Sequence, residues 1–332
     1  MKIPLWWLWK EFSDLIYILL LFLNKNIKYP LYFHNHMQVT FLGTSSMVPT
    51  KKRNHTSVLI SYGANGILLD CGEGTQRQLK IAGIKPTQVT KVLISHWHGD
   101  HVLGLPGLIQ TLGASEYNGT LEIYGPKGTK QHFEDMFKAF VFDRRIELLV
   151  KEVGSGVFFK GREFSLEALP LEHSIETLGY NFIENDKRRI DVKAVRKLGI
   201  PEGPLLGKLQ DNKSIEFKGK KISPKGTTYV VKGKKITFIA DTVYCNNAVK
   251  LAKDADLLIC EATYSSKLEG KAEEYGHLTA KQAGLIANEA NAKKLVLTHF
   301  SARYKNTQEV EEDARCVFDD VICAEDFMKI KP

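Results

Sequence analysis

Three histidines and an aspartate fall within six residues of one stretch, Ser95-His96-Trp97-His98-Gly99-Asp100-His101. The stretch directly follows the apolar run Val92-Leu93-Ile94. Four such side chains cannot all sit in an apolar core, because each would need its own polar partner there. Imidazole nitrogens and carboxylate oxygens are ligands that zinc, manganese or iron accepts. One loop does not supply enough ligands for two ions, so others must come from elsewhere. Three more apolar runs lead to such residues: Leu166-Glu-Ala-Leu-Pro170 to His173, Ile236-Thr-Phe-Ile239-Ala240 to Asp241, and Leu295-Val-Leu297-Thr298 to His299. Taken singly, His299 also reads as a capping residue and Asp241 as a helix N-cap. Repetition at four strand ends points to one centre at one edge of a sheet sandwich.

The elements that must position these residues follow one pattern. Short apolar, β-rich runs lie at 39–42, 58–60, 67–69, 92–94, 121–124, 164–169, 236–239, 257–259 and 295–297. Helical periodicity follows at 75–82, 104–112, 130–140, 245–252, 279–289 and 307–318. Thr279 with Gln282 three residues on reads as a capping box. The mixture predicts an α/β fold with two sheets between helical layers. No internal repeat of fixed period is present.

The chain has 332 residues, is 43% hydrophobic, and carries a formal charge of +8. That composition excludes wholesale disorder, and the length allows a full core without staples. Five cysteines (Cys71, Cys245, Cys260, Cys316, Cys323) include no C-x-x-C pair, which argues for a reducing compartment, the cytoplasm. The charge is uneven. Residues 185–225 hold 12 basic and 5 acidic groups, a net +7, while 37–184 are neutral. A run of this kind is either a solvated face or a phosphate-binding arm. Lys193, Arg196 and Lys197 have spacing that shares one helix face. Gly199-Ile-Pro-Glu-Gly203-Pro204 interrupts regular structure, so 185–225 reads as an excursion from the core. Residues 1–36 contain the apolar run 15–23, too short to span a bilayer, and no small-residue cleavage site. An upstream mis-start or extension, with the domain beginning at Met37, ranks first, then a membrane anchor, then a signal peptide. Membrane association is expected only if 1–36 are part of the protein.

The H-x-H-x-D-H loop with distal His, Asp and His resembles the signature of metallo-β-lactamase-fold hydrolases. Phe41-Leu-Gly-Thr-Ser-Ser46 with Pro49 and Arg53-Asn54, then Leu69-Asp-Cys-Gly-Glu-Gly-Thr-Gln76, then Leu297-Thr-His-Phe-Ser-Ala-Arg-Tyr304 resemble blocks of the ribonuclease Z family, tRNA 3′-end endonucleases. Gly199–Pro204 with Leu205-Leu-Gly-Lys-Leu209 resembles the tip of its substrate-binding arm. The resemblance covers about 38–332 in one register, as a short form. It implies a metallo-β-lactamase-type αββα sandwich, 37–332, with an inserted basic arm at about 185–225. It implies two zinc ions per subunit, or manganese or another divalent ion. His96, His98 and His173 would hold one; Asp100, His101 and His299 the other; Asp241 would bridge them. Asp100 would also orient the attacking water or act as its base, with Asp70 supporting the ligands. Glu261 and His277 match the acid pair that protonates the leaving group. Glu261 reads equally as a structural strand-end carboxylate. Six of ten histidines then share one site, and His34, His36, His55 and His132 show no such pattern.

For substrate, the resemblance implies a precursor tRNA, cut by metal-activated water to leave a tRNA 3′-hydroxyl and a 5′-phosphate on the trailer. Lys187, Arg188 and Arg189, the tip residues Gly203, Pro204 and Lys208, and Arg53 and Arg303 would contact it. Thr50-Lys51-Lys52-Arg53 resembles the loop linked to choice of cleavage position, or is a solvated hairpin tip. In the family one subunit's arm serves the other's site, which implies a homodimer; no small organic cofactor is expected. The alternatives are another hydrolase of this fold acting on a small phosphodiester or thioester, and an RNA-binding protein with an inactive site. Two departures stand out: Leu278 where the family usually has serine, and Cys260 where many members have histidine.

Overall fold

The computed structural model describes residues 37–141 and 145–332; the segment 1–36 lies outside the described residues. In chain order, β1 (Gln38–Gly43), β2 (Ser57–Tyr62), β3 (Asn65–Leu69), β4 (Val89–Leu93), β5 (Thr120–Gly125) and β6 (Glu147–Glu152) form the first sheet. The second begins with β7 (Gly156–Lys160), β8 (Phe164–Leu171) and β9 (Thr177–Glu184). An insertion carries β10 (Lys187–Ile190), β11 (Ile215–Phe217), β12 (Lys220–Ile222) and β13 (Thr228–Val231). The second sheet resumes with β14 (Lys235–Ile239), β15 (Leu257–Glu261), β16 (Leu295–Thr298) and β17 (Val321–Cys323), and β18 (Lys329–Ile330) returns to the edge of the first. The orders are β18-β1-β2-β3-β4-β5-β6 and β17-β16-β15-β14-β9-β8-β7.

Alternation along the strands builds the layers. Ile67 and Leu69 face the core shared by the two sheets, and Leu68 between them faces the helices. In β15, Leu257 and Ile259 face inward, whereas Leu258 and Cys260 face outward. The outer face of the first sheet packs on the Leu105–Ala114 and Thr129–Lys138 helices, through residues such as Leu108, Leu112 and Phe133. That of the second packs on Asn246–Ala252, Ala280–Glu289 and Gln308–Arg315. The result is the metallo-β-lactamase αββα sandwich. Thr279 caps its helix as expected, with Gln282 completing the box. Leu278 and Cys260 are fully buried in the outer apolar cluster of the second sheet, so both departures are core positions.

Both sheets contain a parallel run, β3-β4-β5-β6 and β14-β15-β16-β17. Loops at the carboxyl ends of parallel strands are free of hairpin constraints and can carry function. The histidine loop, Asp241, Glu261 and His299 sit there, whereas His173 lies in the hairpin between the antiparallel strands β8 and β9.

The insertion is a small folded body. Val195, Ile200, Leu209 and Ile215 form a buried cluster of their own, flanked by Ile190, Leu205, Leu206, Phe217 and Ile222. β10 pairs antiparallel with β13, so the paired segment runs on to Val231, beyond the basic window. The Gly-Pro stretch, a breaker by composition, starts a helix: Gly203 adopts φ 145° and Pro204 opens the Pro204–Gln210 helix, where its missing N–H costs nothing. Lys193, Arg196 and Lys197 do lie on one helix, Val192–Lys197, capped by the Asp191 side chain. No helix among the described residues is long and apolar enough to cross a membrane.

Candidate metal centre

Most motif residues occupy a strand end or the loop after it, while Asp100 and His101 lie on the Gly99–Val102 helix and His277 between the Glu269–Tyr275 and Ala280–Glu289 helices. Ser95–His98 follow β4, His173 follows β8, Asp241 follows β14, Glu261 ends β15 and His299 follows β16 with a left-handed φ of 61°. Ligand atoms of His96, His98, His173 and Asp241 lie within 4.8 Å of one another, as do those of Asp100, His101 and His299. The two oxygens of Asp241 face the two groups. Oδ2 is 3.6 Å from His96 Nε2, and Oδ1 is 3.4 Å from His101 Nε2 and 3.2 Å from His299 Nε2.

Partners behind the rings fix which nitrogen points inward. Asp70, fully buried, accepts from Ser95 N at 2.7 Å, Ser95 Oγ at 2.8 Å and His101 Nδ1 at 2.7 Å. The Ser95 hydroxyl has spent its only proton on Asp70, so His96 Nδ1, 2.9 Å away, must donate to it. His173 Nδ1 donates to Gly276 O at 2.9 Å. Gly276 has φ +70°, and a Cβ there would lie 2.8 Å from that imidazole nitrogen, so the position requires glycine. Thr263 Oγ1 donates to Glu261 Oε2 at 2.7 Å and therefore accepts from His299 Nδ1 at 2.9 Å. Four histidines thus turn a protonated Nδ1 to these partners and Nε2 toward the centre.

That donor set fits divalent cations. His101 Nε2 and His299 Nε2 face each other at 3.2 Å, a contact that requires a cation or a shared proton between them. Oδ1 of Asp100 and Oδ1 of Asp241 are buried and, among the described residues, meet no hydrogen-bond donor. Burial and the neighbouring His101 push His96 well below the usual imidazole range. At His101 burial is outweighed by the carboxylates of Asp241, Asp70 and Asp100, which hold it well above that range. The same negative field favours a cation at Nε2 in place of a proton. Asp241 is held well below the carboxylate range because His299, His101 and His277 overcome its burial.

His277 and Glu261 stand beside this centre. His277 Nδ1 is 3.2 Å from Glu261 Oε1 and 3.8 Å from Asp241 Oδ2. Burial lowers His277, but the two carboxylates raise it to about 9. Glu261 also accepts from Thr242 N at 2.9 Å, so it serves the strand end and the imidazole together. Ser95 and Thr263 were not singled out by sequence reasoning. Their only signal is a hydroxyl adjoining a histidine at one strand end and the acid at another.

The substrate-contact candidates are dispersed. Arg53 lies over the Phe300 ring at 5.6 Å and donates to Tyr304 O, and Arg303 lies over Tyr264 at 5.3 Å, so both flank the His299 loop. Lys187, Arg188 and Arg189 lie on β10; Lys187 donates to Glu184 at 2.6 Å and to Tyr62 OH at 2.7 Å, and Arg188 donates to Thr228. Gly203, Pro204 and the exposed Lys208 belong to the helix of the insertion.

Comparison with known proteins agrees with this geometry. Family profiles described as "Anti-Pycsar protein Apyc1" and "Beta-lactamase superfamily domain" match residues 37–141 and 213–300. Ribonuclease Z of Methanothermobacter thermautotrophicus is 40% identical over 89% of this chain and 96% of its own. That of Archaeoglobus fulgidus is 39% identical over 89% and 97%. The crystal structure of human tRNase Z, short form, superposes with TM-score 0.66 at 30% identity, covering 89% of this chain and 100% of that one. With the sandwich, the His/Asp clusters and this extent of identity in agreement, the chain belongs to the ribonuclease Z family of endoribonucleases, hydrolases of phosphodiester bonds.

Proposed function

We propose that this enzyme removes the 3′ trailer from precursor tRNA, cutting after the discriminator nucleotide. The observation that carries the reading is the pairing of a seven-residue His/Asp centre with a separately folded basic insertion: a phosphodiester needs the first, and only a large polyanion needs the second.

His96, His98 and His173 would hold one zinc ion, and Asp100, His101 and His299 a second, with Asp241 between them. Two such ions lower the pKa of water and clamp a phosphodiester for in-line displacement. Asp100, whose Oδ1 meets no donor among the described residues, orients the attacking water. Asp70, Ser95, Thr263 and the Gly276 carbonyl hold the imidazoles in one tautomer, so little reorganisation is needed during reaction. His277, kept protonated by Glu261 and Asp241, gives its proton to the departing 3′-oxygen. The products are a tRNA 3′-hydroxyl and a trailer 5′-phosphate.

The insertion grips the RNA backbone through its cationic residues, with Arg53 and Arg303 next to the centre. It acts on the site of a second subunit in a homodimer. Five unpaired cysteines, four of them buried, support a reducing, cytoplasmic setting. The test is incubation with a 3′-extended tRNA, with and without chelator, followed by mapping of both new ends. Chelator-sensitive cleavage after the discriminator supports the reading; absence of cleavage with metal supplied ends it.

A further inference from the structure

A cavity of about 480 Å³ adjoins the centre on the side of His98, lined by Trp97, His98, Pro126, Lys127, His132, Ile175 and Glu176. Its walls come from three segments. Trp97 and His98 belong to the H-x-H-x-D-H loop. Pro126, Lys127 and His132 belong to the turn after β5 and the helix that follows. Ile175 and Glu176 belong to the loop that carries His173. Whatever fills the cavity therefore touches the same loops that hold five of the seven candidate ligands.

The cavity is built rather than incidental. Trp97 Nε1 donates to the buried Thr129 Oγ1 at 2.8 Å, which fixes the indole. His132, one turn along that helix, covers the indole at 5.3 Å with rings 31° apart. Ile175 is 39% exposed, a large apolar side chain left open beside a polar centre. Thr177 Oγ1 donates to Ile175 O at 3.1 Å, and Leu178 N donates to Ser95 O at 2.9 Å, so this loop is tied to the histidine loop. Aromatic and aliphatic walls with an exposed lysine suit a nucleobase with its sugar-phosphate, and the volume lies within the range of small-ligand sites. Glu176, the one acid in the lining, can accept from an exocyclic amine.

The site's polarity decides which nucleotide enters. His277 packs on His173 and His299, with ring centroids 5.6 and 5.5 Å away, whereas His98 packs on His96 and His173. The cavity is lined by His98 and not by His277, and the His173 ring lies in contact with both. If His277 serves the departing 3′-oxygen, the mature end lies on its side and the nucleotide that keeps the phosphate lies toward His98. We infer that this cavity is the binding site for the first trailer nucleotide, with Trp97, His132 and Ile175 contacting its base and Lys127 its sugar-phosphate. The inference rests on the proposed trailer cleavage and its direction.

The test uses 3′-extended tRNA with a single abasic nucleotide at the discriminator, at the first trailer position, or at the third. Wild type and the His132→Ala/Ile175→Ser double variant, both exposed positions, are compared by kcat/KM, with folding checked by thermal melting. In wild type the abasic first trailer nucleotide costs about tenfold, the scale of one base stack, and the third costs less than about twofold. The double variant loses about tenfold on the intact precursor, and the abasic first position then costs it nothing more. A first-position penalty that persists undiminished in the double variant overturns the assignment, as does a discriminator penalty that vanishes in it. Mapping the ends in the same reactions separates the two levels. Products with the phosphate left on the tRNA overturn the direction of cleavage itself; correct products without the coupling overturn only the cavity.

Discussion

Nδ1 of His277 lies 3.2 Å from Oε1 of Glu261, a carboxylate with no exposure to solvent. The pair keeps a proton on the imidazole at neutral pH, with the free ring nitrogen available to a leaving oxygen. His277→Ala should lower kcat on precursor tRNA by about 10²–10⁴, the usual worth of a general acid. It should cost far less with bis(p-nitrophenyl) phosphate, whose nitrophenolate leaves without protonation. Equal losses on both substrates would assign His277 to the metal centre instead.

The Asp70 carboxylate accepts three hydrogen bonds and reaches the centre through Ser95 and His101. Asp70→Asn places an amide donor against groups that already donate, and releases the orientation of two imidazoles. Metal affinity should fall by about 10–100-fold. Activity should return at higher zinc, whereas Asp241→Ala, which removes the residue facing both clusters, should remain inactive at any concentration. Metal titration followed by activity distinguishes the two.

The histidine loop and the strand ends bearing His173, Asp241 and His299 were legible because a chemical residue type repeats at the end of an apolar period. Ser95 and Thr263 were not, since serine and threonine are common beside strands and only the fold shows what their hydroxyls touch. The insertion's interior was equally opaque. Its strands of three or four residues are too short for a period, and its core of Val195, Ile200, Leu209 and Ile215 is spread over 21 residues. Lys187 reads in sequence as a substrate contact implied by the resemblance, and in the fold its ammonium sits between Glu184 and Tyr62.

The insertion's neck is closed by Glu184 N donating to Lys234 O and by the Asp186–Lys232 ion pair at 2.7 Å. Replacing 187–231 by a short glycine-serine link should therefore leave the sandwich folded. Cleavage of precursor tRNA should collapse while hydrolysis of bis(p-nitrophenyl) phosphate persists. In the intact enzyme, replacing Lys193, Arg196 and Lys197 together should weaken RNA binding and flatten its dependence on log salt by about one unit per lost phosphate contact. An unchanged salt slope would remove these residues from the RNA interface.

Asp326 anchors the loop that bears Arg53. Its Oδ1 accepts from Thr44 Oγ1 at 2.8 Å, and Oδ2 from Asn54 N at 2.8 Å and Gln78 Nε2 at 3.0 Å. Burial nevertheless raises its carboxyl to about 6, against 3.8 ordinarily. The native state therefore binds this proton more tightly than the unfolded chain, and ionisation costs stability. The cost is absent below pH 3.8, grows between 3.8 and 6, and is complete above 6, to at most about 3 kcal/mol. Unfolding free energies of wild type minus Asp326→Asn should thus fall by up to that amount across this window and stay level to pH 8. A difference that instead rises with pH would mean that the three donors, with Arg53 beside them, outweigh the burial, and that Asp326 holds the loop as a stable anion.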